Sequence, residues 1–174
     1  ASPCWPGDRK VQTIGASASQ PVGHTAYFEI PGGASFEQCE GICETPEGGI
    51  VLVYNSAFEA NVVKTDAEGN VVWSVIPSRQ MRSNLQSIMR AEDGGYIVAG
   101  RGNWMGGETG DVYLIKADSL GNLQWERFFD WANTGDLGFS VRQTTDGGYI
   151  IAGAVTDVGV DVYLIKTDTS GYLQ

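Results

Sequence analysis

The chain of 174 residues is poor in basic side chains and has a single histidine. It carries 11 Lys and Arg against 21 Asp and Glu, which gives a net charge of −10. Because phosphate backbones and anionic lipid surfaces are bound through basic patches, this balance disfavours nucleic acid and anionic membranes as partners. The single histidine, His24, leaves no pattern for a Ser/His/Asp triad or a histidine-rich metal site. We interpret His24 as a loop residue.

Long hydrophobic runs are also missing. No stretch of about 18 apolar residues, the length needed to span a bilayer, occurs in the chain. The first ten residues, ASPCWPGDRK, lack the apolar stretch of a signal peptide. We therefore expect no membrane insertion, and we expect any targeting segment to have been removed.

The three cysteines, Cys4, Cys39 and Cys43, contain no CxxC pair, which disfavours a zinc site. If residues 39–45 form a strand, Cys39 and Cys43 lie roughly 13 Å apart along it. That distance exceeds what a disulfide tolerates. We therefore predict that Cys4 bonds to Cys39 or Cys43, and that the other thiol is free or bonded to another chain. A disulfide implies an oxidising, extracytoplasmic setting.

Glycine is abundant, at 24 residues, and much of it marks an internal repeat. Apolar runs follow three Gly-Gly pairs, spaced 46 and 53 residues apart, and three aspartates each stand three residues before a glycine, spaced 52 and 50 apart. The pairs are Gly48-Gly49, Gly94-Gly95 and Gly147-Gly148, and the aspartates are Asp66, Asp118 and Asp168.

Each copy has the pattern of four short strands joined by turns rich in Gly, Asp and Ser, which favours antiparallel hairpins. A four-stranded unit that repeats about every 50 residues is typical of a propeller blade. The sequence thus predicts an all-β, β-propeller-like fold with three four-stranded antiparallel blades. We place a leader at residues 1–30 and the blades at about 31–76, 77–129 and 130–174.

The alternation in DVYLIKTD, residues 161–168, predicts which side chains of the third blade are buried. We expect Val162 and Leu164 to face a core, with Ile165 as a third candidate. Tyr163 and Lys166 are expected to be more exposed.

Three blades do not close a propeller ring, because propellers have about four to eight blades. The segment TAYFEI, residues 25–30, has the pattern of a spare outer strand that could complete the third blade. We expect that blade to be completed by another copy of the chain or by the rest of a longer chain, as part of a larger or oligomerically completed propeller.

The repeat resembles a known group of proteins. The pattern DGGYIIAG, DVYLIKTD and GNLQW, over residues 36–174, resembles the repeat of secreted bacterial propeller proteins, often found on cell surfaces. TDAEGNVVW and ADSLGNLQW are more distantly similar to the Asp-box turn of sialidase-like propellers and to the blade motif of quinoprotein propellers. In those families Asp and Gly shape the turn and Trp wedges between blades. The resemblance implies structural roles for Asp66, Gly69, Trp73, Asp118, Gly121, Trp125, Asp168 and Gly171.

Few residues offer chemistry beyond structure. Asp66, Glu68 and Asn70 alternate like the start of a calcium loop, and the alternative is a simple Asx-capped turn. Otherwise we expect no cofactor. Trp104 and Trp131 fall outside the register of the repeated tryptophans and suit a sugar- or partner-binding rim, although packing between blades is the alternative. We interpret Asp136, Asp157 and Asp161 as solvated loop residues.

Three functions remain as hypotheses. The first, which we favour, is a non-enzymatic, extracellular structural or adhesive protein, which strand exchange could assemble into a filament. The second is a propeller that binds a glycan or a peptide through Trp104 and Trp131. The third is an enzyme of the sialidase or quinoprotein kind, and it would need an arginine cluster or a cofactor pocket that the sequence does not indicate.

The cysteine interpretation gives a direct test. We expect peptide mapping under non-reducing conditions to recover a peptide from the region of Cys4 linked to one that contains Cys39 or Cys43. A bond between Cys39 and Cys43 would show instead that this stretch forms a turn rather than a strand.

Overall fold

The computed structural model describes residues 12–14, 27–29, 38–56, 60–77, 81–104, 110–131, 135–156 and 159–174. These residues form strands and turns, and no helix occurs among them. The strands are β1 (Gln12–Ile14), β2 (Tyr27–Glu29), β3 (Gln38–Glu44), β4 (Ile50–Asn55), β5 (Ala60–Thr65), β6 (Val71–Val75), β7 (Met81–Arg90), β8 (Tyr96–Trp104), β9 (Asp111–Ala117), β10 (Leu123–Phe129), β11 (Gly135–Gln143), β12 (Tyr149–Thr156) and β13 (Asp161–Thr167).

The strands form three antiparallel meanders in chain order, and the predicted all-β fold of propeller-like blades is confirmed. Blade 1 has the order β3-β4-β5-β6, blade 2 has the order β10-β9-β8-β7, and blade 3 has the order β11-β12-β13. Blade 3 therefore has three strands and not the expected four. The start of a fourth appears as a bridge between Thr167 and Leu173, at the place where Ala117 pairs with Leu123 in blade 2.

Apolar faces hold the blades together. We call the side of a blade that points to the next blade along the chain its forward face, and the opposite side its backward face. The forward face of blade 2 has four side chains with no exposed surface, and these pack against the backward face of blade 3. They are Ile97, Ala99, Val112 and Leu114, and their partners in blade 3 include Val141, Tyr149, Ile151 and Ile165.

Blade 2 packs against blade 1 in the same way. Val51, Val53, Ala60 and Val62 on the forward face of blade 1 meet a cluster from the backward face of blade 2. That cluster consists of Leu85, Ile88, Tyr96, Val98, Tyr113 and Ile115. Both faces of the central blade are therefore buried, which explains why its strands are nearly continuous apolar runs rather than alternating ones.

The forward face of blade 3 is open. Val162 is 85% exposed and Leu164 is 63% exposed, so the expectation that they face a core is wrong for this chain. Tyr163 and Ile165 point to blade 2 instead, where Ile165 is buried and Tyr163 packs against the core. Lys166, expected to be exposed, is half-buried. Strand alternation sends odd-numbered positions of this strand to blade 2 and even-numbered positions to the outer side.

The first strand of every blade has a β-bulge at the same place in the repeat. The register shifts between Cys39 and Gly41 in β3, between Leu85 and Ser87 in β7, and between Gly138 and Ser140 in β11. These strands lie nearest the neighbouring blades, since β3 contacts β7 and β7 contacts β11. The bulge re-aims the backbone where the blades approach most closely.

The segment expected to complete blade 3 has a partner within the chain. Tyr27–Glu29 forms β2 and pairs antiparallel with β1, as a separate two-stranded sheet. Donation of this strand to another chain stays a prediction.

The forward face of blade 2 is buried and that of blade 3 is exposed, so we expect the same Leu→Ala substitution to lower stability by different amounts on the two faces. Leu114 and Leu164 occupy the same position in DVYLIK, but Leu114 is fully buried and Leu164 is mostly exposed. We expect Leu114→Ala to lower the free energy of unfolding by about 2–5 kcal/mol, and Leu164→Ala to change it by less than about 0.5 kcal/mol. Urea unfolding followed by tryptophan fluorescence measures both. Equal losses would mean that the forward face of blade 3 is covered in solution.

Candidate functional site

One end of blades 2 and 3 gathers aromatic and charged side chains, and we call this group the rim cluster. It is formed where β8 and β10 end and where β9, β11 and β13 begin. Its members are Arg101, Asp111, Asp130, Trp131, Asp136 and Tyr163. Blade 2 supplies the first four residues and blade 3 supplies the other two, so the cluster exists only because the two blades stack.

Asp136 fixes the geometry of the rim cluster. Its side chain is fully buried in β11, so its interpretation as a solvated loop residue is wrong. Its backbone N–H donates to the Gly110 carbonyl at 2.7 Å, and its Oδ2 accepts a hydrogen bond of 2.7 Å from the Trp131 backbone N–H. Asp136 thus ties blade 3 to two segments of blade 2. Asp161 lies at the exposed start of β13, and Asp157 lies outside the described residues.

The rim cluster has a negative electrostatic potential. Burial raises the pKa of the Asp111 carboxyl, and the neighbouring Asp130 and Asp136 charges raise it further, whereas Arg101 opposes them. Burial likewise raises the pKa of Tyr163, and the charges of Asp136 and Asp130 add to that effect. Three carboxylates beside one guanidinium favour a neutral or cationic ligand over an anionic one.

Both tryptophans predicted to bind a ligand lie at this end of blade 2. Trp131 follows β10 and is 59% exposed, and its ring centroid lies 6.0 Å from that of Tyr163, with the rings tilted by 60°. Trp104 is the last residue of β8, paired with Met81, and its side chain lies outside the described residues. The exposed indole of Trp131, held at its backbone by Asp136, forms an aromatic surface between two blades.

The repeated aspartates lie at the opposite end of the blades and cap their own turns. In blade 2, Asp118 Oδ1 accepts hydrogen bonds from the backbone N–H groups of Leu120 at 2.9 Å and Asn122 at 2.8 Å. Partial burial acts to raise the pKa of Asp118, but these bonds and one from the Asn122 side chain hold it below its usual range. Asp168 accepts the same two backbone bonds in blade 3. These are Asx turns.

The turn that resembles a calcium loop has the same geometry. Asp66 accepts hydrogen bonds from the backbone N–H groups of Glu68 and Asn70, and from the Asn70 side chain. Its oxygens therefore serve the turn itself. Among the residues that the structure describes, no group of three or more His, Cys, Asp or Glu side chains is arranged to hold a metal ion.

The repeated tryptophans lie between blades, against the glycine of the next Asp turn. The Trp73 ring contacts Gly121 and lies 5.9 Å from Tyr96. The Trp125 ring occupies the equivalent place against Gly171, 5.9 Å from Tyr149. A Cβ at Gly171 would stand 2.7 Å from Trp125, and its φ of 79° already disfavours other residues. The turn glycine therefore provides the space that the indole fills. Gly69 has the same positive φ in blade 1.

A buried lysine that sequence reasoning missed joins β9 and β10 of blade 2 to the turn between β7 and β8. The Lys116 side chain is 3% exposed and pairs with Asp93 at 2.7 Å. Its Nζ also donates to Gln124 Oε1 at 3.0 Å and to the Ala117 carbonyl at 3.1 Å. The matching Lys166 pairs with Asp146 at 2.8 Å in blade 3. The repeated Asp-Gly-Gly and Ile-Lys motifs were the sequence signal for this contact.

The structure places Cys39 and Cys43 on one strand but on opposite faces. Cys39 pairs with Tyr54, and Cys43 pairs with Val51. The two cysteines are four residues apart on β3, but their partners are only three residues apart on β4, because the bulge adds one residue to β3. Within the part of the chain that the structure describes, neither cysteine forms a disulfide, and burial raises the pKa of Cys43 to about 11. Cys4 and His24 lie outside the described residues, so a bond from Cys4 stays a prediction.

Comparisons with known proteins give information on the fold alone. No family model and no curated protein matches the chain. Among solved structures, the chain is similar to a protein of unknown function from Bacteroides caccae, with a TM-score of 0.52 and 13% sequence identity. The similarity covers 85% of this chain and 50% of that one. Searching the described residues for a helix long and apolar enough to cross a membrane finds none.

The ion pair of Lys116 with Asp93 in blade 2 should contribute more to stability than the pair of Lys64 with Glu47 in blade 1. Asp93→Ala leaves the buried Lys116 without its carboxylate, and we expect a loss of about 1–2 kcal/mol in the free energy of unfolding at pH 7. Glu47→Ala removes the weaker blade 1 pair, in which Lys64 lies 3.5 Å from a largely exposed carboxylate, and should lower stability clearly less than Asp93→Ala does.

The effect of Asp93→Ala should also depend on pH. Partial burial opposes the shift, but the Lys116 ammonium and the Gly95 N–H hold the pKa of Asp93 below its usual range. A lowered folded-state pKa contributes stability above the unfolded value of about 3.9, and this contribution is lost as the pH falls through the folded value. Urea unfolding at pH 7 and pH 2 should therefore show a difference from the unsubstituted chain that shrinks in acid. A constant difference would contradict the ionic contact.

Proposed function

We propose that this chain is a non-enzymatic structural unit of an extracellular, adhesive β-propeller protein. The observation that supports this proposal is that the recurring polar side chains bond to groups of the blade in which they lie. In blades 2 and 3 the Asp turns and the repeated lysines, Lys116 and Lys166, are bonded within their own blade. Repetition in this chain therefore preserves blade architecture, which is what a scaffold requires.

The rim cluster supports a non-sialidase interpretation for this part of the chain. Sialidase substrates are anionic, and their recognition needs a surplus of positive charge around the bound carboxylate. At the rim cluster three carboxylates outnumber Arg101, and the charges of Asp130 and Asp136 raise the pKa of Asp111 beyond the effect of burial. This charge pattern repels such substrates.

An extracellular adhesive role has a cellular test. We expect an antibody against the chain to label intact source cells, and we expect brief protease treatment of those cells to remove the signal. Deletion of the coding sequence should reduce attachment of the cells to a surface. A signal that appears only after lysis, together with unchanged attachment, would contradict the proposal.

A second candidate function rests on the aromatic pair of the rim cluster, in which Trp131 is exposed and Tyr163 is half-buried. Trp131 and Tyr163 offer ring faces beside carboxylates, and such a combination suits the C–H faces and hydroxyl groups of a neutral sugar or a side chain of a peptide. This candidate would add ligand recognition to the scaffold.

The rim cluster can be tested with arrays of glycans and peptides. For any ligand found, we expect Trp131→Ala to weaken binding at least about tenfold, which corresponds to roughly 1.4 kcal/mol. Leu120→Ala is the matched control, because Leu120 is an exposed apolar residue at the opposite end of blade 2. Equal effects of the two substitutions, or preferential binding of anionic glycans, would contradict this candidate.

A further inference from the structure

We propose that the forward face of blade 3 is an acceptor surface for a further blade of this same repeat, joined in cis, which stacks on blade 3 as blade 3 stacks on blade 2. The inference goes beyond the adhesive role and does not depend on a ligand at the rim cluster. It concerns one face of one sheet, formed by Ile150, Ala152, Val162 and Leu164.

The first argument is the match between this face and an interface that already exists. The four positions are equivalent to Ile97, Ala99, Val112 and Leu114, which are completely buried between blades 2 and 3. All four residue types are identical to those of blade 2 and occur in the same order. In blade 3, however, Ala152, Val162 and Leu164 are exposed and Ile150 is half-buried.

The second argument is the chemistry of the face. An antiparallel sheet that faces water on one side alternates apolar and polar residues. Here β12 and β13 carry apolar residues on both sides, as the central strands of blade 2 do. Val160, 76% exposed at the edge, extends the apolar area. A contiguous apolar sheet face of this kind marks an interaction surface.

The third argument is the path of the chain. Leu173 pairs with Thr167 in the register that Leu123 has with Ala117 at the start of β10. The Gln174 side chain accepts a hydrogen bond of 2.9 Å from Lys166, as Gln124 does from Lys116. In blade 2 this strand leads to Phe129, which is buried in the cluster between blades 2 and 3. A strand that ran from blade 3 as β10 runs in blade 2 would therefore end beside the forward face of blade 3.

The fourth argument concerns a second copy as the occupant. A head-to-tail copy would have to present the backward face of its own blade 1. Leu52, Tyr54 and Val63 on that face are already at most 8% exposed within one chain. The centre of that face is therefore covered within one chain, and Ile42, which pairs with Leu52, is exposed at its edge. A blade joined in cis, by contrast, brings a backward face like that of blade 3.

The experiment supplies such a blade. Because Gln124 and Gln174 are equivalent, residues 125–174 are appended directly after Gln174, which continues the repeat without a new junction. Leu164→Cys reports the exposure of the face through its rate of alkylation, measured for that peptide by mass spectrometry so that the native thiols do not interfere. Leu114→Cys is the matched control at the covered face. A second control carries Ile151→Asp and Ile165→Asp in the appended copy alone.

We expect Leu164→Cys to react rapidly in the 174-residue chain and to be slowed on the order of tenfold or more in the extended chain. Leu114→Cys should react slowly in both, and the control with a polar docking face should leave Leu164→Cys rapid. The proposal is overturned if Leu164→Cys stays reactive in the extended chain. This holds even if the appended copy is unfolded, because a single blade cannot bury its faces alone and would fold only by stacking. Slow alkylation in the unextended chain that accelerates on dilution would also overturn it, in favour of a second copy.

Discussion

The structure depends on the stacking of sheet faces that no blade can bury by itself. Blade 2 is covered on both sides, and its strands carry Val112, Leu114 and Ile115 with almost no solvent contact. Two-sided burial removes the usual alternation of polar and apolar residues, and so it dictates the run VYLI at the centre of the repeat. The hairpin turns, together with the lysine–aspartate pairs of blades 2 and 3, then hold the sheets in the register that stacking requires.

The two ends of the blades serve different purposes because different constraints act on them. At one end, the Asp turns, the Trp–Gly contacts and the pair formed by Lys116 and Asp93 repeat from blade to blade. At the other end, the strands lead into segments that differ among the copies, and Trp131 has no aromatic equivalent in blade 1, where Arg79 stands six residues after Trp73. A rigid repeated end allows the opposite end to vary, which is where binding residues are usually found.

The sequence predicted the repeat, the meander of strands and the Asp turns, because turn residues and periodic runs are local signals. It did not predict the bulges at Gly41 and Ser87, which arise where one blade approaches another. The sequence also did not predict which of Val162 and Tyr163 faces blade 2. Strand alternation assigns the two residues to opposite faces, but it does not indicate which face meets the neighbouring blade when both faces are apolar. The burial of Asp136 was not predictable either, because it arises where blade 3 meets the distant Gly110 segment of blade 2.

Stacking also determines where chemistry can arise in this fold. The rim cluster combines Asp111 and Trp131 from blade 2 with Asp136 and Tyr163 from blade 3, so neither blade contains it alone. Each junction between blades brings together a different pair of loop ends on the same framework of β-strands. The apolar faces therefore set the spacing and orientation of the junctions, and the non-repeated residues at their ends set the charge and shape that a ligand meets.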